Sequence, residues 1–183
     1  MKILLLSILQ SLFALLGQKT MTTDFTITVQ QQTNQPLSYT GKMTMHGEQF
    51  SLEAFGTQAA FDGTTLYMYN EDANELTLST PSREELYQAN PLLFAQAMAE
   101  ACDVTEQTKQ ELTTITFTPK EAGSGIDRIT LKVKNVGGQL QPTTITLKEG
   151  TQTTTLLFRG LKYSDALHEY VLKPDGAFIN DIR

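Results

Sequence analysis

Few side chains in this 183-residue chain have the types and spacing that perform chemistry. The two histidines, His46 and His168, are far apart in sequence, and no Cys, His or carboxylate cluster shows metal-ligand spacing, so no metal site is expected. Ser124 lies between Gly123 and Gly125, but in what reads as a hairpin loop rather than a nucleophile elbow. The glycines mark turns, and none opens a helix as a phosphate loop would. Glu71, Asp72, Glu75, Glu84 and Glu85 form an acidic patch, suited to solubility or to docking on a basic partner. Cys102 is the only cysteine, which excludes an intramolecular disulfide and is more typical of a small buried residue than of a reactive thiol. The expectation is a protein without cofactor and without catalysis.

What the chain has instead is an apolar set. Phe25, Ile27, Val29, Met43, Met45, Phe50, Leu52, Leu66 and Met68 fall on alternating positions of candidate strands, and Leu93, Phe94 and Met98 share one side of a candidate helix. Flexible, polarizable methionines suit a surface that accepts varied apolar ligands, although each of these residues could equally be plain core. The alternation does not say which side of each strand faces inward. Apolar residues make up 40% and charged residues 19%, as in a globular chain, and the length fits one domain. Net charge is -6, with no basic block that would neutralise phosphates, so nucleic acid is not an expected partner.

The elements that must position these residues begin after a leader. Met1 and Lys2 precede an apolar run, Ile3 to Leu16, broken only by Ser7, Gln10 and Ser11, and Gln18, Lys19 and Thr20 follow. This reads as a signal peptide over residues 1–17 ahead of a single domain over 18–183, since the run is short for a bilayer span. Alternation predicts strands from Phe25, over Tyr39 to Met45 and Gln49 to Phe55, and over Ala59 to Phe61 and Thr65 to Tyr69. The last two are joined by Asp62-Gly63, read as a two-residue hairpin turn. Glu75 to Ser79 continues the meander. Ser82 and Glu85 form a capping box, and helical spacing runs from Pro91 to Cys102. Strands resume over Leu112 to Thr118, Asp127 to Lys134, Leu140 to Lys148 and Thr151 to Arg159, with turns at 122–125, 135–138 and 149–150, and a short one is expected at His168 to Leu172. The fold class is mainly β: an antiparallel sheet of ten or eleven strands, too large to stay flat. Its concave apolar side must be covered by the helical insertion or by a ligand.

Phe61-Asp62-Gly63-Thr64-Thr65-Leu66-Tyr67-Met68-Tyr69-Asn70, Asn90-Pro91-Leu92-Leu93, Phe117-Thr118-Pro119-Lys120 and the ending from Tyr170 to Asp181 together resemble the outer-membrane lipoprotein carrier (LolA) family over about residues 25–183. The resemblance implies an incomplete, half-open β-barrel under a helical lid. It also implies a monomeric periplasmic carrier that holds acyl chains of lipid-modified proteins and shuttles them between membranes. The implied partners are those lipoproteins, an inner-membrane lipoprotein-release transporter and an outer-membrane receptor. The same half-barrel could instead serve as a lipid-sensing or protein-interaction module without transport.

Two features depart from the family pattern. The basic-proline pair whose arginine fastens the family's lid is replaced by His46, Gly47 and Glu48, so that latch does not carry over. The family's first helix has no room between a cut near Gly17 and Phe25; either the pocket is more open here or residues 1–17 partly take that helix's place.

Overall fold

The computed structural model describes residues 7–121 and 123–183; the first six residues of the expected leader, and Ala122 of the expected turn at 122–125, lie outside them. The described chain opens with helix α1 (Ile8–Gln18) and six strands: β1 (Thr20–Gln31), β2 (Leu37–His46), β3 (Gln49–Ala54), β4 (Thr57–Phe61), β5 (Leu66–Asn70) and β6 (Glu75–Ser79). Two helices follow, α2 (Arg83–Ala89) and α3 (Pro91–Ala101), and then β7 (Cys102–Lys109), β8 (Leu112–Pro119), β9 (Arg128–Val136), β10 (Gln139–Glu149), β11 (Gln152–Ser164) and β12 (Phe178–Asp181). All twelve strands form one curved, unclosed sheet in the order β12-β6-β5-β4-β3-β2-β1-β11-β10-β9-β8-β7. Every pairing is antiparallel except β12 on β6. The mainly β, half-open architecture expected from the sequence is what forms, with one or two strands more.

The differences have local causes. β1 starts at Thr20 rather than Phe25, because Met21 and Thr23 extend the inward alternation and are buried. Asp62-Gly63 is not a two-residue hairpin. Residues 62–65 link the strands, and the Asp62 carboxylate accepts from the backbone N–H of Thr64 and Thr65 at 2.9 and 2.8 Å, closing an Asx-type turn. Two consecutive left-handed residues occur instead at Phe55 and Gly56, between β3 and β4. The polar strand β7 escaped the alternation pattern because it is an edge strand, with one face of mixed polarity and exposed charges. Cys102 therefore opens a strand rather than ending the helix's apolar side, although it is buried as expected, and burial pushes its thiol pKa up. The expected strand at His168 to Leu172 is an irregular segment, and the closing strand is β12.

The helices are positioned by their caps. Ser82 and Glu85 form the capping box that opens α2. Buried Asn90 caps α3, its side chain accepting from Leu92 and Leu93 N–H, and Pro91 takes the first helical position. α1 carries a capping box of Ser7 and Gln10, and its first N–H groups, from Ile8 and Leu9, each donate to the Glu106 carboxylate of β7 at 3.0 Å. At its far end Leu16 C=O accepts from Gly47 N–H in the β2–β3 turn. Helix α1 thus crosses the sheet's inner face from β7 to β2, burying Leu9, Leu12 and Leu16 in the core, which is the place the sequence left open for residues 1–17.

Candidate functional site

Register decides which side chains share a face, and it answers what alternation could not. β1 pairs with β2 so that Met21 faces Met45, Phe25 faces Gly41 and Ile27 faces Tyr39. β2 and β3 match Met45 with Phe50 and Met43 with Leu52; β3 and β4 match Phe50 with Phe61 and Leu52 with Ala59; β4 and β5 match Phe61 with Leu66 and Ala59 with Met68. Since partners in register point the same way, all nine strand residues of the apolar set lie on one face of the sheet. That face carries the core and the three helices.

Sharing a face does not make them a site. Phe25, Met43, Met45, Phe50, Leu66 and Leu93 are buried in the core; Ile27, Leu52, Phe94 and Met98 are half-buried against it. Val29 is half-buried, and Met68 is 38% exposed. The structure brings only Ile27 and Phe94 of the twelve to an open apolar groove of about 440 Å³ between the lid helices and the sheet.

The floor of this groove is two register rows. Ile27 faces Leu156 of β11, which faces Ile145 of β10; one step along, Thr154 faces Leu147, and Val29, the partner of Thr154 on β1, lies outside the lining. The roof is Tyr87 of α2 with Pro91 and Phe94 of α3. Only Glu84, Gln88 and Thr154 bring polar side chains to the lining. Ile145, Leu147 and Leu156 lay within expected strands, but nothing local connects them to Ile27, more than 100 residues earlier; only the β1–β11 pairing does. The lining is thus mainly apolar, with polar side chains from both the lid and the floor.

The lid is tied to the sheet by charge. Where the basic-proline pair is missing, Glu48 of the β2–β3 turn accepts a hydrogen bond from Arg83 Nη1 of α2 at 2.7 Å. Glu48 raises the Arg83 pKa further above its ordinary value. Beneath the lid, Asn90 Nδ2 meets Met45 Sδ at 4.0 Å. On the opposite face, the segment 165–172 crosses the outside of β2 to β4, with His168 stacked edge-on to Tyr170 at 4.8 Å. A second depression on that face, of about 480 Å³, is lined by Asp24, Lys42, Glu53 and Arg159 among others, and its charge suits no acyl chain. Among the described residues no three His, Cys, Asp or Glu side chains are placed to hold a metal ion. No described helix is long and apolar enough to cross a membrane.

The family described as "Outer membrane lipoprotein carrier protein LolA" matches residues 16–173 of this chain. No curated protein matches it. Among solved structures, it is similar in fold to an uncharacterized conserved protein from Thermus thermophilus, with a TM-score of 0.55 and 12% identity over 87% of this chain and 90% of that one. A LolA superfamily protein from Nitrosomonas europaea matches with a TM-score of 0.48 and 10% identity, over 88% of this chain and 96% of that one. The Pseudomonas aeruginosa MucA/MucB complex contains a chain matching with a TM-score of 0.41 and 13% identity, over 86% of this chain and 56% of that one.

Proposed function

The chain belongs to the outer membrane lipoprotein carrier protein LolA family, and from that premise we propose that it is a periplasmic carrier that holds acyl chains of lipid-modified proteins beneath its lid and moves them from the inner to the outer membrane. The observation that carries this reading is the groove of Ile27, Ile145, Leu147, Leu156, Tyr87 and Phe94, apolar on floor and roof and open to solvent. Burial is worth about 0.8 kcal/mol per methylene, so even part of an acyl chain seated there would be held firmly in water. Release then needs a more apolar acceptor or a competing partner, as expected of a carrier working between an inner-membrane transporter and an outer-membrane receptor. In this reading Glu84, Gln88 and Thr154, polar side chains of the lining, meet the ester and amide groups at the lipid's polar end.

Export is the second part of the proposal. The leader reading assigns residues 1–17 to a removable segment, while Leu9, Leu12 and Leu16 are buried in the core. In this reading the leader's helix occupies the inner face until it is cut, and its departure enlarges the apolar surface available to cargo.

Native mass spectrometry of the protein purified from a lipoprotein-producing host tests the carrier reading. Co-purifying phospholipid or triacylated peptide, displaced by added synthetic lipopeptide, is expected. A protein that arrives empty and ignores the added lipopeptide removes the carrier reading and leaves a protein-interaction module on the same sheet.

A further inference from the structure

One strained turn is explained neither by local conformation nor by the core. Ala54 pairs with Thr57, leaving Phe55 and Gly56 as a two-residue hairpin loop with φ of 59° and 67°. Such a loop needs two left-handed residues, and Asn-Gly or Asp-Gly fills it without strain. A bulky aromatic at φ near +60° is a genuine outlier, and outliers of this kind persist where function holds them. Burial does not hold Phe55, since it is 59% exposed. Its ring instead meets that of Tyr39, itself 40% exposed, at 4.5 Å and 54°.

The sheet places Tyr39 one strand beyond the groove's lining, with the Phe55 ring against it, while Phe55 also borders the charged depression. Tyr39 lies in register with Ile27, which continues through Leu156 to Ile145, and Leu37, 58% exposed, lies in register with Val29. The apolar row therefore runs one strand beyond the groove's lining, a step of about 5 Å. It ends at two rings tilted against each other and open to solvent. A strip of this kind, linear, apolar and continuous with the groove, has the form of an extended hydrocarbon chain.

We propose that Tyr39 and Phe55 form a lip that grips the acyl chain where it enters the groove, and that the aromatic is kept at position 55 for this despite its backbone. The proposal rests on the acyl-carrier reading. Phe55→Asn separates the two, because Asn suits the turn and removes the ring. In the full chain, Phe55→Asn is expected to raise the melting temperature while slowing capture of a synthetic triacylated cysteinyl peptide by about fivefold or more. Tyr39→Ser is expected to slow capture similarly, and Phe94→Asp, in the groove itself, to abolish it. Capture unchanged in Phe55→Asn and Tyr39→Ser, with Phe94→Asp inactive, overturns the lip and leaves the groove standing. A lower melting temperature together with slower capture in Phe55→Asn also overturns it, by making the ring pair a packing device. An unmodified chain that captures no lipopeptide overturns the carrier reading itself.

Discussion

The ring of Phe25 lies over Gly41, its register partner on β2, so closely that a Cβ built at Gly41 would run into Phe25 Cζ and the Glu53 carbonyl oxygen. The glycine is required by its neighbour's ring and by the adjacent strand. Its backbone does not lie in the left-handed region, so the requirement is one of space. The contact keeps a large aromatic in the core one pairing step from Ile27, and so it supports the inner end of the groove's floor.

Gly41→Ala is therefore expected to destabilise the protein by about 1–3 kcal/mol through overpacking. Urea unfolding reads this as a lower midpoint at unchanged slope. Phe25→Leu combined with Gly41→Ala is expected to recover part of the loss, and strict additivity of the two substitutions would show that the ring and the glycine do not compete for the same space.

Asp62 makes stability depend on acid. Partial burial pulls its carboxyl up, but the N–H groups of Thr65 and Thr64 and the Tyr67 hydroxyl, all donating to it, together hold its pKa below the usual carboxylate value. A carboxyl lowered on folding contributes stability that is complete above its unfolded pKa of about 3.9 and is lost as pH falls through the lower folded value. Asp62→Asn is expected to reduce stability at neutral pH and to flatten the acid limb below about pH 4. A thermal-unfolding series from pH 7 to pH 2.5 checks this, and parallel curves for the two proteins would contradict it.

The Arg83–Glu48 pair is exposed at both ends, so solvent screens it and its contribution to global stability is small. Its location across lid and sheet gives it a larger effect on opening. Arg83→Ala is expected to leave the melting temperature nearly unchanged and to speed lipopeptide capture at low salt. In stopped-flow measurements the difference should shrink as salt screens the pair. Equal rates at low salt would mean that the lid opens elsewhere.

Leu12 is fully buried at the middle of α1. In the full chain, Leu12→Ala is expected to cost about 2–5 kcal/mol, as for a core leucine. The intact mass of the exported protein then separates the two fates of the helix. A mass lacking the first 17 or so residues supports the leader reading, and a mass that retains Ile8–Gln18 makes α1 a permanent part of the core.

The parts of the fold legible in the sequence were those with local causes. The capping box at Ser82 and Glu85, the helical spacing from Pro91 and the period-two strands of the inner face all have their reasons within a few residues. β7 was not legible, because its polar edge position removes the alternation, and neither was β12, whose pairing to β6 joins residues about 100 apart. Asp62-Gly63 misled for a physical reason: an Asx side-chain turn competed with the backbone turn that the same dipeptide favours. For the site, the apolar set identified the right face but mostly its core. Ile27 and Phe94 reached the groove, while Ile145, Leu147 and Leu156 could be joined to them only through the long-range pairing of β1 with β11.

The most direct measurement is photolabelling with a triacylated cysteinyl peptide whose acyl chains carry a carbene precursor, followed by peptide mapping of the full chain. Labels on the segments bearing Ile27, Phe94, Ile145 and Leu156, suppressed by unlabelled lipopeptide and lost in Phe94→Asp, are the expected result. Labels confined to the outer face around Lys42, Glu53 and His168, or no competable label at all, would contradict the assignment of the groove as the acyl-binding site.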